Sequence, residues 1–172
     1  MPEERKLVTV LFADIVGSTE MGQSHDAEVM RAALGRAFES SSEILRAHGG
    51  TVEKFIGDAV MAVFGVPAVH DDDPDRAVRA AFALRERITA DDGEGPAFRV
   101  RIGINTGEAV AGTGETAQFL VTGSAVNAAA RLQQAATPGE ILVGDLTKRL
   151  TLGGVEYGPA RDIDAKGIGR LA

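Results

Sequence analysis

The chain has no cysteine, which removes disulfides, zinc–thiolate centres and thiol nucleophiles from its chemistry. Positive charge is also scarce: 18 Lys and Arg stand against 25 Asp and Glu, for a net charge of -7. Nucleic acid and anionic membrane surfaces are held by basic faces, so neither is an expected partner. Long apolar runs are missing as well. The N-terminal MPEERKL lacks the apolar region of a signal peptide, and no stretch approaches the roughly 20 apolar residues of a membrane span, which points to a cytoplasmic domain. No internal repeat, low-complexity tract or linker divides the sequence. What remains, 172 residues with 44% hydrophobic and 25% charged, suits one soluble domain with a full core.

Two carboxylates stand out at the ends of apolar runs. TVEKFIGDAVMAVF, from Thr51 to Phe64, reads as a hairpin whose turn at Gly57-Asp58 puts Asp58 at a sheet edge. LVTVLFAD, from Leu7 to Asp14, reads as a strand that ends on Asp14. If the strands are neighbours the carboxylates converge, and a hard divalent cation is commonly held by one or two carboxylates plus substrate phosphates. The plainer alternative is that each Asp serves a turn.

DIVGSTEMGQ follows the first strand, and its Gly17, Ser18 and Thr19 suit either phosphate binding by backbone N–H groups or simple helix capping. A helix is expected from Asp26 to Ala47, with Val29, Ala33, Ala37, Ile44 and Leu45 inward and Gly49-Gly50 as its stop. Asp71, Asp72 and Asp73 precede and overlap a helix starting at Pro74, and their charge fits the helix dipole better than a metal site. After a polar loop at Ala90–Pro96, FRVRIGINTGEAVAG reads as a hairpin turning near Thr106-Gly107. Gly112–Gln118 reads as a second loop, Ala125–Ala136 as a helix stopped by Pro138-Gly139, Glu140–Val143 as a strand, Asp145–Leu150 as a helix and Val155–Lys166 as a partial hairpin. Asn127 and Arg131, four apart, share one face of their helix, as functional groups or as solvated surface. The order gives an α+β fold, a ferredoxin-like βαβ-βαβ sandwich. A further strand is expected after Gly169–Ala172, so the chain reads as one domain, 1–172, cut from a longer protein.

LVTVLFADIVGST, GGTVEKFIGDAVMAVFG, VRIGINTGEAVAG and VTGSAVNAAARL, in that order from Leu7 to about Gly167, resemble the class III adenylate/guanylate cyclase catalytic domain of the bacterial homodimeric type. The resemblance implies that Asp14 and Asp58, with the backbone carbonyl of Ile15, bind a pair of Mg²⁺ or Mn²⁺ ions. These serve attack of the ribose 3′-hydroxyl on the α-phosphate and hold the triphosphate. It implies that Asn127 contacts the ribose, that Arg131 puts positive charge on the transition-state phosphate, and that Lys166 binds the triphosphate. Gly17, Ser18 and Thr19 are the candidate substrate-binding residues of the loop after the first strand.

Lys54 matches the position that selects the base. A lysine donates to adenine N1 but opposes the protonated guanine N1, so ATP is the expected substrate. In the family the aspartates come from one domain and Lys54, Asn127, Arg131 and Lys166 from the other, which implies a homodimer with two shared sites.

Two positions depart from the pattern. Leu120 stands where the family commonly has an Asp or Thr that accepts from the adenine amino group, and Thr122 is the nearest candidate to compensate. Glu108 stands where some members carry a phosphate-contacting arginine. Two rival readings follow: a nucleotide-binding or dimerisation module with little turnover, supported by Leu120, and a guanylate cyclase, opposed by Lys54.

Overall fold

The computed structural model describes residues 4–16, 27–56, 59–66, 68–89, 98–113 and 119–158. Strand β1 (Glu4–Val16) leads to helix α1 (Ala27–Ala47), then to strands β2 (Thr51–Ile56) and β3 (Ala59–Phe64). Helix α2 (Asp73–Thr89) precedes β4 (Arg99–Thr113) and β5 (Phe119–Thr122). Helix α3 (Ser124–Ala135), β6 (Ile141–Val143) and α4 (Asp145–Thr151) complete the described elements.

The sheet order is β2-β3-β1-β4-β5, antiparallel throughout, with β6 added parallel to β4. The first four strands and two helices thus form the expected βαββαβ sandwich. β1 lies at its centre because both of its faces are apolar. Leu11, Ala13 and Ile15 pack with Ala33, Ala37 and Leu45 of α1 and with Ala77, Ala81 and Leu84 of α2. Val8, Val10 and Phe12 face the other way, with Met61, Val63 and Ala129 of α3. Side chains alternate along a strand, so Asp14 belongs with the second set, on the α3 face. Fully buried side chains such as Leu11, Leu45, Phe64 and Leu84 each contribute about 1.5–3 kcal/mol relative to exposure.

The buried stripe of α1 is Met30, Ala33, Ala37, Ser41 and Leu45, at steps of three and four. Val29, expected inward, is 40% exposed, because it falls one residue and therefore a quarter-turn off this stripe. Gly49, at φ 90°, ends the helix as its sequence suggested, and the N–H of Gly50 reaches the carbonyl of Leu45 at 2.8 Å. At the start of α2, Asp73 Oδ2 accepts from the His70 N–H at 2.8 Å and Asp72 Oδ2 accepts from Arg76 Nε at 2.9 Å. These acids are committed to the helix start.

The largest correction concerns FRVRIGINTGEAVAG. From Arg99 onward it belongs to one strand, which runs 15 residues to Thr113 without a turn at Thr106-Gly107, and Thr106 and Gly107 pair with Thr9 and Val8 of β1. The glycines serve helix docking instead. Gly103, Asn105 and Gly107 share the strand face against α3. A Cβ on Gly103 would lie 2.3 Å from the Gln133 nitrogen and 2.5 Å from the Ala129 oxygen, and one on Gly107 would lie 3.1 Å from Ala125 Cβ. Between them Asn105 Nδ2 donates to the Ala125 carbonyl at 3.2 Å.

Gly103→Ala should therefore displace α3. The obstructing atoms are backbone, so we expect a loss of about 1–3 kcal/mol or more, read as a lowered urea midpoint at unchanged slope. A midpoint equal to wild type would show that the helix is not seated on this glycine.

Of the expected final hairpin, residues 155–158 form no strand and 159–166 lie outside the described residues. Tyr157 instead packs back on α4, its hydroxyl against Thr151 Oγ1, and burial pushes its phenol pKa up. Among the described residues no helix is long and apolar enough to cross a membrane.

Candidate active site

The β1–β3 pairing runs from Thr9 opposite Phe64 to Asp14 opposite Ala59. β1 continues to Val16 against β4 alone, so Asp14 marks the last row shared by three strands. Ile56 pairs with Ala59, and Gly57 and Asp58, which join them in sequence, lie outside the described residues. The chain neighbour of Asp58 is thus the residue opposite Asp14.

Asp14 is half-buried and has partners that the sequence did not reveal. Its cross-strand neighbour on β4 is Arg101, whose Nη2 donates to Asp14 Oδ2 at 2.6 Å, a charge-assisted contact. The Nε of Arg101 is buried and has no partner among the described residues. Gln133 Nε2, from α3, donates to the same Asp14 oxygen at 3.3 Å. Neither residue stood out in the sequence. Arg101 needs the strand register to be seen; Gln133 left a fainter signal, a polar residue on an otherwise apolar helix face.

Ile15 buries its side chain in the main core, so only its backbone is left to serve the site. Asn127 and Arg131 are both exposed, about 40° apart around the α3 axis. Gln133 lies about 120–160° from them, on the buried side. One helix therefore turns Gln133 toward Asp14 of its own chain and turns Asn127 and Arg131 away. Within a single chain these two halves of the expected site do not meet.

Lys54 sits on the edge strand β2 opposite Met61, and Leu120 sits on β5 opposite Gly112 at the other edge of the sheet. Glu108 is exposed on β4. Gly17, Ser18, Thr19 and Lys166 lie outside the described residues.

Among the described residues no group of three or more His, Cys, Asp and Glu is placed to hold a metal ion. A hard cation that takes the rest of its oxygens from phosphates and water does not need one. Asp14 does not end its strand as expected, because Ile15 and Val16 go on pairing with β4; a half-buried carboxylate in the last row shared by three strands, next to a second acid in sequence, fits that donor set.

Residues 1–171 match the family model of the adenylate and guanylate cyclase catalytic domain. The chain belongs to this family. As a class III cyclase domain it falls in a group of lyases that use divalent metals. It is 36% identical to adenylate cyclase 1 of Rhizobium meliloti over 137 residues, which are 75% of this chain and 21% of that protein. The cyclase domain thus spans about a fifth of the length of this curated relative.

Its structure superposes on the adenylyl cyclase CyaB of P. aeruginosa with a TM-score of 0.89 at 32% identity, covering 99% of this chain and 93% of the other. It also superposes on the guanylate cyclase domain of RhGC from Catenaria anguillulae, solved in complex with GTP. There the TM-score is 0.86 at 30% identity, covering 99% and 95% of the two chains. The fold and the cyclase family are shared with both, one named for an adenylyl and the other for a guanylate cyclase.

Proposed function

We propose that this domain is an adenylate cyclase that converts ATP to 3′,5′-cyclic AMP and pyrophosphate at two sites shared between two copies of the chain. The observation that carries the shared site is the division of α3: its inner face reaches Asp14, while Asn127 and Arg131 face solvent on the other side. A second copy related by a twofold axis would bring its outer stripe to the first copy's carboxylates.

In the reaction the ribose 3′-hydroxyl releases its proton to solvent as its oxygen bonds to the α-phosphorus, the bond from that phosphorus to the β-phosphate oxygen breaks, and pyrophosphate leaves with the electron pair. Asp14 and Asp58, with the Ile15 carbonyl, would hold Mg²⁺ or Mn²⁺, which supplies charge neutralisation at the attacking and leaving oxygens. Asn127 orients the ribose, so that the 3′-hydroxyl meets the phosphorus in line. Arg131 places positive charge where the transition-state phosphate gathers negative charge, and Lys166 holds the triphosphate. Gly17, Ser18 and Thr19 offer backbone N–H groups to the phosphates.

Lys54 supports ATP as the substrate, because a lysine donor suits adenine N1 and leaves guanine N1 facing another donor. The relatives named adenylate and adenylyl cyclase agree with this choice. The test is incubation with Mn²⁺ and either ATP or GTP, followed by separation of the cyclic products. Cyclic AMP as the main product supports the reading, and cyclic GMP as the main product contradicts it. Leu120 favours a second reading, a domain that binds nucleotide with little turnover; nucleotide binding without any cyclic product would establish it.

Lys54→Glu exchanges the donor for an acceptor. We expect the ATP reaction to fall by at least about tenfold, the scale of one lost hydrogen bond to a charged group, and the ATP:GTP ratio of kcat/KM to fall with it. Leu120 provides no acceptor in either protein, so the variant should remain a poor guanylate cyclase. An unchanged ratio would remove Lys54 from base selection.

A further inference from the structure

We propose that Gln133 is a positioning residue for the cation-binding carboxylate, tying Asp14 to the helix that presents Asn127 and Arg131. The inference rests on the assignment of Asp14 as a cation ligand. Gln133 is only 6% exposed, and its inward neighbours on α3 are Ala125, Ala128, Ala129 and Leu132. A buried amide among such residues is costly unless it is hydrogen-bonded. Its side chain spends that bond on Asp14 Oδ2, from a position 119 residues away in the sequence.

Arg101 takes the same oxygen, so both protein donors that reach Asp14 among the described residues converge on Oδ2. A carboxylate has about four lone-pair sites over its two oxygens. Two donors on Oδ2 hold that side of the group and leave Oδ1 as the oxygen that would take the cation.

The base of the Gln133 side chain is held as firmly as its tip. The empty Cβ position of Gly103 lies 2.3 Å from the Gln133 nitrogen, so strand and helix are in backbone contact two residues along β4 from Arg101. Strand β4 thus supplies one donor directly and seats the helix that supplies the other. Helix α3 in turn touches the carboxylate of its own half-site and offers Asn127 and Arg131 to the half-site of the partner copy. Movement of Asp14 and movement of the ribose and phosphate contacts are linked through one rigid helix.

The experiment measures Mn²⁺ binding to the full chain from the electron paramagnetic resonance signal of free Mn²⁺, with 3′-deoxy-ATP present so that no turnover occurs. Gln133→Met keeps length and apolar fit while removing the donor, and Gln133→Leu is a second variant of the same kind should Met pack poorly. Loss of a partner that orients a metal ligand typically costs about 10-fold or more in metal affinity. We expect Mn²⁺ binding to weaken by about that factor, with 3′-deoxy-ATP affinity at saturating Mn²⁺ within about twofold of wild type and a cooperative thermal transition retained.

Asp14→Asn is the control for the underlying assignment. If Asp14→Asn removes Mn²⁺ binding while both Gln133 variants bind it as wild type does, Gln133 is a core residue and the inference is overturned. If wild-type Mn²⁺ binding is indifferent to Asp14→Asn, the cation assignment itself fails, and the role of Gln133 falls with it.

Discussion

Asp14→Asn is expected to lower kcat/KM for ATP by at least about a thousandfold, equivalent to about 4 kcal/mol of transition-state stabilisation, while the protein stays folded. Asn keeps the shape of Asp14 and can still accept from Arg101 and Gln133, so packing at the end of β1 is preserved. What it loses is the negative charge that a hard divalent cation requires of its ligand. Asp58→Asn should behave in the same way, since its chain neighbour Ala59 stands opposite Asp14.

Asparagine is the more informative replacement at position 14. Alanine would also take from Arg101, whose buried Nε has no partner among the described residues, the carboxylate it pairs with there, and would mix a stability effect with the catalytic one. The comparison needs kcat/KM at saturating Mn²⁺ beside a thermal melt. Near-normal activity in a folded Asp14→Asn protein would contradict the assignment of this carboxylate to the cation.

The parts of the fold that were legible in the sequence are those governed by local rules. The apolar run at Leu7–Asp14, the hairpin signal at Gly57-Asp58, the glycine stop after α1 and the Pro74 start of α2 each rest on a few adjacent residues, and each element lies where those residues placed it. β4 was misread because its glycines answer to a partner far along the chain. Gly103 is small for the sake of Gln133 and Ala129, and nothing local distinguishes such a glycine from one in a turn. A strand of 15 residues is also far longer than the usual run of about 5–6, so splitting it into a hairpin was the natural error.

The site shows the same division. Asp14 stood out because it ends an apolar run, and Asn127 and Arg131 because they are four apart on a helix. Arg101 sits in an alternating strand where a charged residue on one face is ordinary. Its significance arises only from the register that sets it opposite Asp14. For Gln133, the periodicity of α3 held a usable signal: it shares the inward face with Ala125, Ala129 and Leu132, where a long polar side chain calls for a partner.

The proposed division of the active site between two copies of α3 leads to the second large effect. On the proposed assignment Asp58→Ala would remove a carboxylate from the cation half of each site and Asn127→Ala the ribose contact from the other half, so each variant alone should be nearly inactive. In a mixed dimer one site carries both lesions and the other carries neither. With random pairing about half of the dimers are mixed, each with one intact site of two, so activity should recover to roughly a quarter of wild type. If association is weak, the recovery will rise with protein concentration by mass action. The decisive measurement is cyclic AMP formation by the two separately purified variants, mixed at several concentrations with Mn²⁺ and ATP, with sizing to show that subunits exchange. Recovery toward a quarter of wild-type activity is the result predicted for a site built between two chains. Activity no greater than the sum of the separate variants, in mixtures that have exchanged, would contradict it.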